Sequence, residues 1–224
     1  MSDNLNNSFA FARKLFSDFG RLVILIVLDL IPIVNLIVTG YASRVLKESP
    51  AADSPPKLEN YGDLFMDGLK IAIASIIYML IPLILIAAGF GSVFAAMVTG
   101  GSPNFTWGGF TSAYMGLLGG AGIVLVLIGL LVAFVMLILV AAGVAHMIKT
   151  GKFGKAFAFG EILGIIGKIG WGRYLAWLVL IVVIAAIVGA IAGALPFVGW
   201  IIAAIIGPAL TVFYFRSLGL LYSQ

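Results

Sequence analysis

Two long stretches of this chain contain no Asp, Glu, Lys or Arg. The first runs from Ile71 to Ile148 and covers 78 residues, and the second runs from Tyr174 to Phe215 and covers 42. Domains that fold in water carry about 25% charged residues, whereas this chain carries 10% and is 62% hydrophobic. The uncharged stretches therefore predict an integral membrane protein whose surface faces mostly lipid.

The apolar runs favour helices over strands. They are continuous, as in the six residues from Ile123 to Ile128, whereas a transmembrane strand alternates with a period of two. We therefore predict an all-α polytopic membrane protein. No polar stretch is long enough to fold by itself, which predicts a single membrane domain over residues 1–224.

Each uncharged stretch has room for two crossings, because one crossing needs about 20 apolar residues. We predict a helical pair over 58–98 and 115–148, and a helical hairpin over 174–218. Turn-forming residues separate the members of the first pair and include a glycosylation sequon at Asn104. The predicted crossings lie near Leu69–Phe90, Leu117–Met147, Tyr174–Ala194 and Val198–Leu218.

The segment 20–46 is apolar but is interrupted by Asp29, Pro32 and Asn35. A charge at the centre of a membrane helix costs roughly 2.5 to 3.5 kcal/mol on insertion scales. Two models compete: a re-entrant helical hairpin that turns at Pro32, and a kinked first helix that crosses fully and makes five transmembrane helices.

The basic residues favour the hairpin. With four crossings after a hairpin, all 13 Lys and Arg residues lie on one side, which the positive-inside rule identifies as the cytoplasm. A full first crossing would place Arg13, Lys14 and Arg21 on the opposite side. We therefore expect a multi-pass protein of the cell membrane with both termini cytoplasmic.

Two charged linkers are predicted to lie at the cytoplasmic membrane surface. Residues 58–70 have the spacing of an interfacial helix, and the linker 153–172 combines basic residues with Phe and Trp. Basic residues beside aromatic ones are typical of contact with anionic lipid headgroups, although ordinary anchoring of a cytoplasmic loop explains the same pattern. The candidate headgroup contacts are Lys152, Lys155, Lys168 and Arg173.

Three segments carry a family resemblance: GYASRVLKESP from Gly40, LENYGDLFMDGLK from Leu58, and IIYMLIP from Ile76. Together they resemble a family of archaeal membrane proteins known as domain of unknown function 4013. The resemblance covers most of the chain and is strongest in its N-terminal third. It implies an archaeal membrane and several helices, and it implies no activity or ligand.

Few residues are suited to chemistry inside the membrane. Asp29 with Asn35 is a candidate intramembrane polar site, and the alternative is that Asp29 only caps or pins the turn. His146 is the only histidine and has no carboxylate near it in sequence, and the chain has no Cys. We therefore predict no catalytic, metal or cofactor site, no enzyme activity and no nucleic-acid partner.

The sequence favours a small structural or accessory membrane protein that interacts with lipid. Its expected partners are the bilayer, anionic headgroups, and either further copies of the chain or a larger membrane complex. A GxxxG at Gly189 and Gly193 is suited to close helix packing within the chain or between subunits. The alternative function is a channel or transporter for an ion or small solute that uses Asp29 and Asn35.

Overall fold

A computed structural model describes residues 2–99, 121–194 and 198–223, and every regular element within them is helical. The predicted start of the second crossing at 115–120 and the sequon at Asn104 lie outside these residues. Short 3-10 helices cover Lys14–Ser17 and Phe153–Phe157. The α-helices are α1 (Ser2–Arg13), α2 (Phe19–Leu30), α3 (Leu36–Glu48), α4 (Tyr61–Thr99), α5 (Ala121–Thr150), α6 (Phe159–Ile169), α7 (Trp171–Ala194) and α8 (Val198–Tyr222).

Four of these helices are long and apolar enough to cross a membrane, which confirms the predicted number of long apolar helices. Most side chains along the spans of α4, α5 and α7 face outward, including Leu131 on α5 and Val179 on α7, whereas α8 is more buried and exposes Ile201 and Ile205. Outward apolar side chains on all four helices are suited to a lipid solvent. The four segments are Tyr61–Gly91, Gly122–Thr150, Trp171–Ala194 and Ile201–Tyr222.

The segment 20–46 forms two short helices with a turn between them. Helix α2 ends at Leu30 and α3 begins at Leu36. The two helices have 12 and 13 residues, so each is only about 18 to 20 Å long and neither reaches across a bilayer alone. Ile33 at the turn has a φ of 72°, a left-handed conformation that is strained for a β-branched residue.

The two charged linkers fold differently. Residues 61–70 are not a separate helix, because α4 continues without a break from Tyr61 to Thr99. The second linker contains α6, which buries Ile162, Ile166 and Ile169 on one side and exposes Lys168 on the other. Thus a short amphipathic helix occurs in the second linker, and the first linker leads directly into a long helix.

The chain divides into two compact units, Met1–Ala74 with Leu139–Gln224, and Ser75–Ile138. The first unit has a core built by α1, α2, α3, the start of α4 and α8. Helix α8 contacts α1, α2, α3 and α7 and is central to this unit. The core includes Leu15, Leu25, Val38, Tyr41, Val45, Leu64 and Val212.

Glycine allows very close helix crossings in each unit. In the first unit, Gly40 of α3 lies against the Leu64 backbone of α4, and Gly68 of α4 lies against the Leu36 backbone of α3. In the second unit, Gly89 of α4 lies against α5. By contrast, no atom in the described residues lies within 4 Å of where a Cβ on Gly189 or Gly193 would stand. The GxxxG of α7 is therefore not used for packing within the described chain.

Candidate functional site

The linker 49–60 between α3 and α4 has no regular structure, so its carbonyl groups need other donors. Basic side chains from the N-terminal helices supply several. Lys14 Nζ donates to the Asp53 carbonyl at 2.5 Å, and Arg21 Nη1 donates to the Pro55 and Pro56 carbonyls at 2.9 and 3.1 Å. Basic side chains thus bind the backbone of the proline-rich linker.

Three further basic side chains contact the same linker. Arg44 Nη1 donates to the Glu59 carbonyl at 2.9 Å, and Lys149 Nζ donates to the Ser49 carbonyl. Arg216 Nη1 donates to Ser49 Oγ at 3.0 Å, and its Nη2 donates to the Pro50 carbonyl at 3.3 Å. We call the five residues that contact the linker the basic clamp: Lys14, Arg21, Arg44, Lys149 and Arg216.

Arg216 is the most buried member of the basic clamp, with 2% of its surface exposed. Its Nε donates to Asn7 Oδ1 at 3.2 Å, and its guanidinium carbon lies 4.4 Å from the centre of the Phe11 ring. The guanidinium is therefore held by hydrogen bonds and a cation–π contact. A buried charge without such partners is costly. Since Asn7 and Phe11 belong to α1 and Arg216 belongs to α8, these contacts fix the position of α1 on α8.

A second polar cluster joins the two chain termini. Asn4 Nδ2 donates to the Ser217 carbonyl at 3.1 Å, and Ser217 Oγ donates to Asn4 Oδ1 at 2.8 Å. Trp177 Nε1 of α7 donates to the same Ser217 oxygen at 2.7 Å. These bonds lie in the protein interior and connect α1, α7 and α8.

His146 is the centre of a third cluster, which the sequence did not reveal. Its Nε2 lies 2.7 Å from Glu161 Oε2, and its Nδ1 lies 2.8 Å from the Tyr222 hydroxyl. A carboxylate only accepts hydrogen bonds, so Nε2 donates to Glu161, and the Tyr222 hydroxyl is the hydrogen-bond partner of Nδ1. The contact joins α5, α6 and α8.

Glu161 is held from two sides. Lys155 Nζ lies 2.5 Å from Glu161 Oε1, while His146 binds the other oxygen. The hydrogen bonds from Lys155 and then from His146 hold the pKa of the Glu161 carboxyl below its ordinary value of 4.5. The described residues contain no group of three His, Cys, Asp or Glu side chains suited to a metal.

Asp29 and Asn35 lie on opposite sides of the turn between α2 and α3. Asn35 is exposed and precedes α3, but its side chain makes no capping hydrogen bond. Asp29 is half-buried, and its Oδ2 lies 2.9 Å from where a Cβ on Gly207 would stand. Among the hydrogen bonds of the described residues, none joins Asp29 to Asn35. The carboxyl group of Asp29 therefore faces α8.

The four predicted headgroup contacts differ in their surroundings. Lys152, Lys168 and Arg173 are exposed, whereas Lys155 is partly buried and paired with Glu161. Trp171 beside them has 46% of its surface exposed. Lys152, Lys168 and Arg173 thus remain candidates for contact with an outside anion.

The family model described as "Protein of unknown function (DUF4013)" matches residues 23–197. The chain belongs to this family. The match covers more than three quarters of the 224 residues and runs from within α2 to the end of α7. No curated protein and no solved structure matches the chain.

The matched residues include the tight crossing and two of the five residues of the basic clamp, Arg44 and Lys149. Gly40, Gly68 and the linker 49–60 all lie within the matched residues, as do His146 and Glu161. Lys14 and Arg21 lie before them, and Arg216 and Tyr222 lie after them. The family description names no activity, so any function depends on the site itself.

Proposed function

We propose that this protein is a structural or accessory protein of a cell membrane that contacts lipid headgroups, and that it is not an enzyme. The observation that supports this most is the separation of polar from apolar surface. The basic clamp and the His146 cluster gather polar groups at the ends of α5 and α8, while α4, α5, α7 and α8 expose apolar side chains. Such a molecule is suited to packing in lipid.

In the proposed membrane arrangement, α2 and α3 form a re-entrant hairpin. Ser49 beyond the end of α3 lies against Gly219, and Asp29 near the end of α2 lies against Gly207. Gly207 is nine residues before Arg216, which places Asp29 about 14 Å along α8 from the basic clamp. A hydrocarbon core is about 30 Å thick, so the turn would lie near its middle.

Helix α6 is proposed to lie at the membrane surface with Lys152 and Lys168 near the headgroups. Each Lys near an anionic surface contributes about 1 kcal/mol, or roughly a five-fold local enrichment of anionic lipid. Bromine-labelled lipids in nanodiscs test this, with the Trp171 signal taken as the difference between wild type and Trp171→Phe. We expect brominated phosphatidylglycerol to quench Trp171 more than brominated phosphatidylcholine.

The matched variants separate charge from structure. Lys152→Gln with Lys168→Gln should abolish the difference in quenching, while Lys152→Arg with Lys168→Arg should keep it. Equal quenching of wild-type Trp171 by the two lipids would contradict headgroup contact at α6.

Cysteine labelling tests the proposed orientation, because the chain has no natural Cys. Asn6 and Lys152 are exposed. Ser102 lies between the first two predicted crossings, so the hairpin model places it on the side of the membrane opposite the basic residues. An impermeant maleimide on intact cells should label Ser102→Cys directly, and Asn6→Cys and Lys152→Cys only after permeabilisation. Labelling of Asn6→Cys on intact cells would favour five crossings.

An ion or solute pathway at Asp29 is the second candidate, and one observation favours it. Asp29 faces Gly207, directly before Pro208 inside α8. Proline lacks an N–H, so the Ala204 carbonyl loses its usual helical donor. A carboxyl beside such a carbonyl resembles the interrupted helices at transporter ion sites.

Flux in proteoliposomes decides between the two functions. Wild type and Asp29→Asn are compared for H⁺, Na⁺ and K⁺, with Asp3→Asn on the exposed first turn of α1 as the control. Flux that only Asp29→Asn abolishes would establish the pathway. Equal background leak in all three proteins supports the accessory role.

A further inference from the structure

A cleft of about 340 Å³ lies in the first unit, between α3, the start of α4 and the end of α5. Its charged side chains come from two helices: Arg44 and Lys47 from α3, and Asp63, Asp67 and Lys70 from α4. The volume is at the lower end of the range of ligand sites, about 300 to 1,000 Å³. The cleft is therefore large enough for a small polar headgroup.

The basic side chains of the cleft retain most of their binding capacity. Arg44 uses Nη1 to bind the Glu59 carbonyl, which leaves the other donors of its guanidinium. Lys70 pairs with Asp67 at 3.1 Å, but about half of each side chain is exposed, so the pair is weak. Lys47 is exposed, and no ion pair among the described residues includes it.

The position of the cleft relative to the apolar helices indicates the type of ligand. Lys70 is the last charge before the first uncharged stretch, and Lys149 is the first charge after it. Met147 and Ile148 line the cleft and belong to the apolar part of α5. One wall is thus charged and another is apolar, at the level where the apolar segments begin.

We infer that this cleft binds the phosphate headgroup of a membrane lipid that carries a hydrogen-bond donor. Arg44, Lys47 and Lys70 would bind the phosphodiester, and Asp63 would accept from a headgroup hydroxyl or amine. The acyl chains would lie along Met147 and Ile148. This inference depends on the proposed lipid-contact function and adds one specific site, separate from Lys152 and Lys168.

Native mass spectrometry of the full-length protein in detergent tests the inference. The protein is titrated with phosphatidylglycerol, whose headgroup has hydroxyl donors, and with phosphatidylcholine, whose headgroup has none. We expect the first bound phosphatidylglycerol to bind at least ten-fold more tightly than phosphatidylcholine. Equal affinity for the two lipids would overturn the inference.

Paired variants locate the site. Lys47→Gln with Lys70→Gln should weaken the first phosphatidylglycerol at least ten-fold, and Asp63→Ala should reduce the preference over phosphatidylcholine. Lys152→Gln with Lys168→Gln removes the same number of charges and should leave the first site unchanged. Equal effects of the two double variants would overturn the cleft as the site. The exchange Lys47→Arg should retain binding, which separates loss of charge from loss of folding.

Two further comparisons separate the possible outcomes. Glycerol phosphate at the same concentration should not displace the lipid, because it has no acyl chains to contact Met147 and Ile148. Displacement of the lipid by glycerol phosphate would assign the cleft to a soluble phosphate and overturn the inference. If the protein binds phosphatidylglycerol and phosphatidylcholine equally while Trp171 quenching still distinguishes the two lipids, only the cleft site is refuted. If the binding preference and the quenching difference are both absent, the proposed lipid-contact function is refuted as well.

Discussion

The crossing of α3 and α4 requires glycine at position 40, which makes Gly40→Ala a sharp test of the fold. A Cβ on Gly40 would stand 1.8 Å from the Leu64 carbonyl oxygen and 2.6 Å from its carbonyl carbon. Ordinary contact begins at 3.4 Å. Because the obstructing atoms are helix backbone and cannot rotate away, the two helices must separate by about 1.5 Å.

The expected cost follows from the packing around the crossing. Leu64, Tyr41 and Val45 are completely buried there, and a gap of about 0.5 to 1 Å already loses a quarter to a half of a dispersion contact. Overpacking costs about 1 to 3 kcal/mol and occasionally more. The higher helix propensity of Ala returns about 1 kcal/mol. At the upper end of the overpacking range, the net loss of unfolding free energy is about 2 kcal/mol.

Unfolding in mild detergent by titration with SDS, followed by far-ultraviolet circular dichroism, measures this loss. Gly62→Ala is the matched control, since it lies at the start of α4 with no atom within 4 Å of the new Cβ. Gly68→Ala should repeat the loss, because its Cβ would stand 1.9 Å from the Leu36 carbonyl oxygen. If Gly40→Ala and Gly68→Ala unfold at the same SDS fraction as Gly62→Ala, the close crossing is refuted.

Three other predictions use the same assay. Because the pKa of Glu161 is lowered in the folded protein, its contribution to stability is present above pH 4.5, the ordinary pKa of the group, and is lost as the pH falls through the lower folded pKa. The stability advantage of wild type over Glu161→Gln should therefore vanish in acid. An advantage that does not change with pH would contradict this. Arg216→Gln should lower the unfolding free energy by about 3 kcal/mol or more, because several buried charged hydrogen bonds are lost, whereas exposed Arg13→Gln should change it by less than about 0.5 kcal/mol. Ile33→Gly should raise the unfolding free energy by up to about 1 kcal/mol, because glycine adopts the positive φ of this position without strain, although it adds entropy to the unfolded chain. A clear decrease in the unfolding free energy would refute the strain at Ile33.

The long apolar helices were predictable because length and hydropathy decide them locally. The third crossing was predicted over Tyr174–Ala194, and the structure has a candidate span over Trp171–Ala194. The break near Pro32 was also readable from the sequence, since polar and cyclic residues interrupt an apolar run. Such features depend on neighbouring residues and not on the tertiary fold.

The side-chain clusters were not predictable in the same way. Glu161 is 15 residues from His146, and Tyr222 is 76 residues from it, so only the packing of α5, α6 and α8 brings them together. The interfacial position of the start of α4 stays a prediction, based on the spacing of Asp63, Asp67 and Lys70. Their charges mark where the apolar part begins, while the helix itself continues past them.

The contacts of the linker provide support for the proposed re-entrant hairpin that is independent of the positive-inside rule. Lys14 binds the Asp53 carbonyl and Arg216 binds the Pro50 carbonyl, and these linker residues are only three positions apart. Three residues span at most about 11 Å, whereas a hydrocarbon core is about 30 Å thick. Lys14 precedes α2, and the linker follows α3. If α2 and α3 crossed the membrane fully, Lys14 and the linker would lie on opposite sides of the bilayer. Lys14 could then not bind the Asp53 carbonyl, three residues from the carbonyl that Arg216 binds.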